Sequence, residues 1–488
     1  MVHCRAMSDW IPVIGLEVHA ELETGSKMFS PCPVVDSVEA APNSAVDVVS
    51  LGLPGTLPVI NRRAMEYGMM VGLALNCEIP PVNRFDRKSY FYPDLPKGYQ
   101  ISQYEHPLAI KGHVDIGLAD GRCKRIRVRR AHMEEDTGKL THVAGGFSLV
   151  DYNRAGVPLL EIVTEPDLAS AAEAEAFARD LRAILRWLGV NSGDMSKGVL
   201  RFEANVSLRQ PDDPDLRTRT EIKNLNSIRH MTRAIESELR RQRRLYEKGE
   251  NVRQATLGWD EDAQRIVVQR YKERADEYRY FPEPDLPVVE VSEAWVNEVR
   301  AHIPELPAAR SQRFRDEQGL QAADAQQLTS ERAVADFYEA VLDSGIEAQV
   351  AANWICGALF ALMNARETPR ETIGELRFNA AAFAALLRMV VDGTLNRGTA
   401  TAVLEAMWES GAEPQQIVRE RGLAQISDSD VIEETVDQVL AQQAQLVERY
   451  RAGETKLLGA LMGQAMKALR GQGNPAAVRQ ALQQRLDV

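Results

Sequence analysis

The pattern of the sequence changes near residue 300, and this change restricts the possible folds more than any other feature. Up to Pro287 the chain is rich in Pro, Gly and Tyr and in short runs with the periodicity of β-strands. After Pro304 it reads as helices joined by short polar links. The stretches Phe281–Pro287 and Ile303–Pro307 separate the two parts, because proline disfavours helix before it and cannot donate to a sheet. We therefore predict an α+β fold, in which a mixed α/β domain precedes an all-helical part.

The length of the chain predicts several domains. A chain of 488 residues is too long for one core, since domains usually hold about 100 to 200 residues. A break near Gly422 divides the helical part, and the sequence after it is typical of a small bundle. We predict a first domain over 1–300, a helical domain over 301–421 and a C-terminal tail domain over 422–488.

Capping residues predict where some of the helices begin and end. Asn379 is a suitable N-cap for a helix over Ala380–Val391, and Asp392-Gly393 is a suitable end. From Ser427 onward the pattern predicts three helices. Asn474-Pro475 predicts the start of the last one, because proline is favoured in the first turn.

Charge and cysteine content exclude several classes of protein. The chain has 58 basic and 70 acidic residues, a net charge of −12, so any nucleic acid must be bound through local basic patches. It has no long apolar run of the kind that spans a membrane, and its first residues lack the apolar segment of a signal peptide, so we expect a cytoplasmic protein. The five cysteines are scattered and form no C-x-x-C pair, which argues against a disulfide framework.

The segment from Val13 to Leu22 alternates between apolar and polar residues. Such alternation predicts a half-buried β-strand, with Glu17, His19 and Glu21 on its polar face. The polar face is either solvated or part of a metal site.

Two further segments concentrate acidic residues in unusual surroundings. Glu161 alone interrupts the apolar run Val157–Val163, so it should be protonated, paired or metal-bound unless one edge of the strand is wet. The segment His132–Asp136 contains three consecutive acids, which repel one another unless cations or a hard metal neutralise them. We predict an oxygen-rich site for Mg²⁺, shared with nucleotide phosphates, from Glu17, His19, Glu135 and Glu161.

Basic and aromatic residues alternate over Phe85–Gln103, a combination that can stack bases and contact phosphates, or form a packed lid. The sequence has no G-x-x-x-x-G-K-[ST] loop and no G-x-G-x-x-G motif. Any ATP site must therefore be unconventional.

Several longer motifs occur in a fixed order and resemble one family. They are Ile14–His19, Phe85–Asp94, His132–Asp136, Leu200–Ser207, Glu221–Ser227 and Tyr278–Asp285, with Gly459–Lys467 and Gly473–Pro475 near the end. In these motifs the chain resembles the B subunit of the bacterial aspartyl/glutamyl-tRNA amidotransferase. The resemblance implies a cradle-like catalytic domain, a helical domain and a tail that binds tRNA.

The resemblance also implies a reaction and its partners. ATP would phosphorylate the side-chain carboxylate of Glu or Asp misacylated on tRNA(Gln) or tRNA(Asn), and ammonia would then displace the phosphate. A partner amidase (glutaminase) subunit would release the ammonia from glutamine, and a small C subunit would complete a heterotrimer. The chain shows no amidase nucleophile motif, in agreement with this division. A tRNA-binding adaptor without catalysis and a Mg²⁺-dependent phosphoesterase are the alternatives.

Particular residues match the motifs of this family. By that match, Glu17, His19, Glu135 and Glu161 would hold or surround Mg²⁺. Lys88 and Lys97 would lie near the ammonia path and the reacting group, where a cation can stabilise phosphoryl charge. The residues that we predict to bind the nucleotide lie in the same motifs: Arg87, Tyr90, Tyr92, Asn205, Lys223 and Asn224.

The chain departs from the family pattern at one structural site. Many members carry C-x-C followed by C-x-x-C as a zinc site, whereas this chain has Ser30-Pro31-Cys32 and then Asp47 to Ser50. One thiolate cannot assemble a four-ligand zinc site. We therefore predict no zinc and expect loop packing to replace it.

Overall fold

The fold is described from a computed structural model, which describes residues 10–118, 121–143, 145–261, 263–271, 278–423, 429–469 and 473–486. The chain divides into two compact units, one ending at Leu306 and the other beginning at Pro307. The first unit mixes strands and helices and the second is helical, so the predicted α+β class is confirmed. The further division near residue 421 stays a prediction.

The first unit contains the following elements. The strands are β1 (Ile11–Glu21), β2 (Val82–Asn83), β3 (Asp86–Ser89), β4 (Tyr99–Ser102), β5 (Ala109–Gly117), β6 (Cys123–Glu135), β7 (Lys139–Val143), β8 (Phe147–Asp151), β9 (Pro158–Thr164), β10 (Leu200–Arg209), β11 (Thr220–Leu225), β12 (Ala255–Asp260), β13 (Arg265–Tyr271), β14 (Phe281–Pro282) and β15 (Val289–Glu290). The helices are α1 (Arg62–Ala74), α2 (Ala171–Leu188), α3 (Ile228–Glu247) and α4 (Glu293–Ala301).

Among the described residues, the largest sheet has eight strands in the order β13-β12-β11-β10-β1-β9-β6-β5. Its neighbouring strands are antiparallel except for the parallel pair β11 and β12. The register places His19 of β1 opposite Glu161 of β9 and opposite Arg201 of β10. Glu161 is in turn opposite His132 of β6. Four polar residues therefore form one row across the middle of the sheet.

The other face of β1 forms the core of the unit. Its residues Leu16, Val18 and Ala20 are fully buried and belong to one apolar core with side chains of α1, α2 and α3. The predicted alternation of β1 is confirmed. Helix α1 approaches the sheet closely at Gly68, where a Cβ atom would lie 2.6 Å from Leu108 Cδ2 and would clash. The helices thus cover one face and leave the other to the polar row.

The second unit contains twelve helices in its described part, with a π-helical turn at Ile355–Leu359 and short 3₁₀ turns at Arg370–Glu375 and Thr455–Leu457. They are α5 (Pro307–Asp316), α6 (Ala322–Leu328), α7 (Arg332–Asp343), α8 (Ala348–Trp354), α9 (Phe360–Ala365), α10 (Ala380–Val391), α11 (Arg397–Ser410), α12 (Pro414–Arg421), α13 (Ser429–Gln442), α14 (Ala444–Arg451), α15 (Leu458–Ala468) and α16 (Pro475–Leu486).

The predicted helix ends in this unit are partly confirmed. The Asn379 side chain accepts a hydrogen bond from Ala382 N and caps α10, and Asn474 Oδ1 accepts from Ala476 N at the start of α16. The prediction of three helices after Ser427 was wrong, because the first divides at Gln443 into α13 and α14. Neither Pro nor Gly marks this break, so no local signal could have predicted it. Ser427 itself lies outside the described residues.

One helical stretch, Ala348–Ala365, is long and apolar enough to cross a membrane by composition alone. Its side chains Ala351, Ile355 and Leu359 are fully buried within the protein. Such burial is typical of a core helix, which passes the same test of composition.

Candidate active site

The polar row on the sheet centres on Glu161, which is buried as its sequence context predicted. Glu161 Oε2 lies 3.4 Å from His19 Nε2 and 3.3 Å from His132 Nε2. Burial opposes ionisation of this carboxyl, but the charges and hydrogen bonds of His132 and His19 hold its pKa well below the ordinary value. Glu161 is therefore a buried carboxylate stabilised by two imidazoles.

A second buried carboxylate, Glu134, lies beside Glu161. It accepts hydrogen bonds from Ser102 Oγ at 2.6 Å and Gln100 Nε2 at 2.9 Å, both from β4. His132 Nε2 lies 3.2 Å away and Lys88 Nζ 3.9 Å away. Burial opposes its charge, but Lys88 and His132 lower the pKa of Glu134 to about 2. We call His19, Lys88, His132, Glu134 and Glu161 the central cluster.

The structure does not bring the four predicted metal ligands together. Ligand atoms of His19, Glu134 and Glu161 lie within 4.8 Å of one another. Glu135 points elsewhere, to a buried ion pair with Lys97 Nζ and a hydrogen bond from Ile101 N at 2.9 Å. Sequence reasoning did not select His132, which lies beside this group, and in place of Glu135 it missed Glu134. Strand alternation could have identified it, because residues 132 and 134 share one face of β6 and residue 135 lies on the other.

Glu17 lies in a neighbouring group with Glu203 and Glu221, which we call the acidic cluster. Carboxylate oxygens of the three residues lie within 4.8 Å of one another. Asn205 Nδ2 donates to Glu17 Oε1 at 2.9 Å, and Lys223 Nζ lies 2.6 Å from Glu203 Oε2 and 3.4 Å from Glu221 Oε1. Three of the predicted residues thus meet here. The side chain of Asn224 lies outside the described residues.

The chemistry of the acidic cluster fits a divalent cation. One lysine faces three carboxylates in this group. Burial raises the pKa of Glu17, and the neighbouring carboxylates raise it further. The contribution of the neighbouring carboxylates indicates negative charge that the protein compensates only in part. Mg²⁺ prefers oxygen ligands of this kind and usually keeps several waters. In the central cluster, by contrast, His132 and Lys88 already balance much of the charge.

Each of the three consecutive acids Glu134, Glu135 and Asp136, at the end of β6 and just after it, has its own cation. Glu134 is paired with Lys88 and Glu135 with Lys97, as described above. Asp136 accepts from Arg201 Nη2 at 2.6 Å, and Arg154 Nε lies 3.6 Å from it. The sequence left open whether cations or a hard metal neutralise this run, and these pairs show cations beside each of the three acids.

Three residues of the stretch predicted to bind nucleotide have different environments. Arg87 donates to both carboxylate oxygens of Glu283, at 2.7 and 2.8 Å, and so joins β3 to the residue that follows β14. Tyr90 is half-buried, its ring centroid 5.8 Å from that of Tyr278. Tyr92 is 57% exposed in the loop that follows. The guanidinium of Arg87 is thus engaged within the protein.

Comparison with known proteins matches both units of this chain. Residues 12–297 match the GatB/GatE catalytic domain, and residues 336–486 match the GatB domain. A protein of Moorella thermoacetica is 50% identical over 477 residues, 97% of this chain and 99% of the relative. A protein of Thermomicrobium roseum is 51% identical over 478 residues, 97% of this chain and 98% of the relative. Both are named as the B subunit of aspartyl/glutamyl-tRNA(Asn/Gln) amidotransferase. The chain belongs to the GatB family.

The loop of this GatB protein that lacks the cysteine pairs is held by a buried lysine. Lys27 is fully buried, and its Nζ donates to Ala45 O at 2.8 Å and lies 4.0 Å from Asp47 Oδ2. The Asp47 carboxylate also accepts from Val49 N at 2.8 Å and from Ser50 Oγ at 2.6 Å. A buried lysine that donates to a backbone carbonyl and lies beside a carboxylate therefore connects the parts of the loop.

We predict that the purified GatB protein contains no stoichiometric zinc. Only Cys32 remains at the positions where the resemblance predicted four cysteines, and one thiolate is too few. Elemental analysis after mild chelation measures the metal directly. About one zinc per chain would contradict the prediction.

A second prediction concerns the stability that Lys27 gives to this loop. Lys27→Met keeps the length of the side chain but leaves the Ala45 carbonyl without this donor and the Asp47 carboxylate without the nearby ammonium. We expect the free energy of unfolding to fall by about 1 to 3 kcal/mol. Lys197→Met is the matched control, because that lysine is part of a surface pair with Asp36, and its loss should lower the stability much less. Equal losses in thermal or denaturant unfolding would contradict the expectation.

Proposed function

We propose that this chain is the B subunit of a tRNA-dependent amidotransferase. It would use ATP to phosphorylate the side chain of Glu or Asp carried by tRNA(Gln) or tRNA(Asn). Ammonia would then displace the phosphate and leave Gln-tRNA(Gln) or Asn-tRNA(Asn). The observation that carries the proposal is the buried central cluster, which combines Lys88 with two carboxylates on the unit that matches the family's catalytic domain.

The arrangement of charges suits this chemistry. A carboxylate cannot lose oxide to an attacking amine, whereas an acyl phosphate loses phosphate readily. The ammonium of Lys88 stabilises negative charge on transferring phosphoryl oxygens. Burial of Glu134 and Glu161 excludes water from the site, which protects an acyl phosphate from hydrolysis.

Mg²⁺ would be held by the acidic cluster or by the central cluster, where it would neutralise phosphate charge. In the acidic cluster, Asn205 and Lys223 fix the orientations of Glu17 and Glu203 before any cation binds. In the central cluster, Ser102 and Gln100 fix Glu134 in the same way. These contacts keep the oxygens close together without a cation.

The partners follow from the same proposal. The relatives are named as one subunit of an amidotransferase, so the enzyme contains further subunits. We propose that a partner amidase supplies ammonia from glutamine and that a small C subunit completes a heterotrimer. The substrate would be a misacylated tRNA, and the enzyme would work in the cytoplasm.

Reconstitution tests the proposed function. The purified chain is combined with the amidase and the small third component, and amidation of Glu-tRNA(Gln) and of Asp-tRNA(Asn) is measured with and without ATP and glutamine. Amidation that requires both compounds supports the proposal. Full amidation by a complex whose central cluster has been neutralised would instead support a non-catalytic tRNA-binding adaptor.

A further inference from the structure

Four tyrosine rings form a continuous wall beside the central cluster. Tyr104 and Tyr280 are stacked, with ring centroids 4.3 Å apart and an interplanar angle of 12°. Tyr280 meets Tyr278 edge-on at 6.2 Å, and Tyr278 meets Tyr90 edge-on at 5.8 Å. We call these four residues the tyrosine row.

Cations lie beside the tyrosine row at two of its rings. Lys88 Nζ lies 5.2 Å from the ring centroid of Tyr278, within the row, and 3.9 Å from Glu134 Oε1. At the Tyr104 end, the guanidinium of Arg130 lies 5.9 Å from the centroid of Tyr104. Arg130 and Glu134 belong to β6, so the row runs alongside this strand. It connects the central cluster with a basic and more exposed position.

The outer ring of the row is both exposed and fixed in place. Tyr104 is 48% exposed, although its stacking partner Tyr280 covers part of it. The backbone N–H of Tyr104 donates to the buried carboxylate of Asp86 at 3.0 Å. A ring held in this way loses little conformational entropy when a ligand binds.

We propose that the tyrosine row stacks the unpaired base at the acceptor end of the aminoacyl-tRNA. The attached amino acid would then lie near Lys88 and the central cluster. This inference rests on the proposed function and names the part of the substrate that the site holds. Stacking suits an unpaired base because every base has a π-face, and Arg130 suits the adjoining backbone phosphate.

The openness of the row favours tRNA over the adenine of ATP. A small ligand gains most from an enclosed pocket that covers most of its surface. Tyr104 instead remains half exposed, which leaves space for a ligand that continues into a larger molecule. Within the row, the ring of Tyr278 also faces Lys88, beside the carboxylates where the aminoacyl group would react.

The test replaces Tyr104 with Leu in the reconstituted complex. We expect the KM for misacylated tRNA to rise about 10-fold, the loss of one stacked base, while the KM for ATP stays the same. Tyr104→Phe should restore the value, since it keeps the ring. Tyr271→Leu is the matched control: Tyr271 is 50% exposed on β13 and also lies beside an arginine, Arg253, at 4.2 Å. It should leave both KM values unchanged.

A second measurement does not depend on activity. A tRNA with 2-aminopurine as its terminal base should lose fluorescence on binding the wild-type complex and keep it with Tyr104→Leu. An unchanged KM for tRNA together with equal quenching would overturn the proposal, and a higher KM for ATP alone would assign the row to ATP. If the wild-type complex shows no amidation, the proposed function fails, but quenching still decides whether the row binds the base.

Discussion

Glu161→Gln is expected to lower ATP-dependent amidation of misacylated tRNA by about 10²- to 10³-fold. The amide has the same shape but no negative charge. It removes one carboxylate charge from the group of His19, Glu134 and Glu161 and leaves two imidazoles without the carboxylate that they share. The loss should appear in kcat, because the missing charge acts on phosphoryl transfer rather than on tRNA binding. Amidation at saturating tRNA and ATP measures it.

Three controls separate this loss from a damaged fold. Glutamine hydrolysis by the partner amidase and tRNA affinity should stay close to wild type, and the variant should unfold cooperatively. Glu134→Gln should cause a similar loss, because it belongs to the same cluster. Glu135→Gln tests the metal-ligand role that the sequence assigned to Glu135, because the structure pairs this carboxylate with Lys97. Near-normal amidation by Glu161→Gln at ordinary Mg²⁺ concentrations would show that the central cluster is not the catalytic site.

The parts of the site that lie on single strands could be predicted from sequence. Alternation along β1 identified Glu17 and His19 on the polar face, and the apolar surroundings of Glu161 predicted that it is buried and partnered. The choice of Glu135 over Glu134 neglected that same alternation on β6. On β6, the alternation of side chains along the strand therefore identified the site residue better than the family motif did.

Contacts between distant segments could not be predicted in this way. Arg87 and Glu283 are 196 residues apart in the chain, and their ion pair depends on β14 pairing with β3. The stack of Tyr104 on Tyr280 has the same origin. The pairing of Glu17 with two further acids depends on the register of β10 and β11. Such contacts follow from topology, which short-range sequence patterns do not specify.

The second large effect is expected when the helices from Ser429 onward are removed. They share an apolar cluster of their own, which includes Val436, Leu461 and Leu482, all fully buried. A chain ending at Leu423 keeps the C-terminal cap of α12, in which Gly422 N donates to Arg419 O. We expect this truncation to leave the first unit folded but to weaken tRNA binding, since a chain of net charge −12 must bind phosphates through local cations.

The expected loss of tRNA binding rests on three cations of the tail. Lys456, Lys467 and Arg479 are exposed, whereas Arg485 is paired with Glu433 and Asp437. Replacing the three exposed cations with Gln should reduce the salt dependence of tRNA binding, the slope of log affinity against log salt, by about two to three. Arg485→Gln should change that slope less, because its charge is already neutralised within the tail.

The role of the tail is tested by measuring tRNA affinity across a salt series. The full chain, the truncation and the triple variant are compared. An unchanged affinity and slope in both variants would contradict tRNA binding by these helices. Amidation at saturating tRNA gives the complementary measurement, because a pure binding role predicts an unchanged kcat. The clusters proposed for catalysis all lie in the first unit, so kcat should be preserved when the tail is removed. A loss of kcat at saturation would show that the tail also supports the catalytic unit.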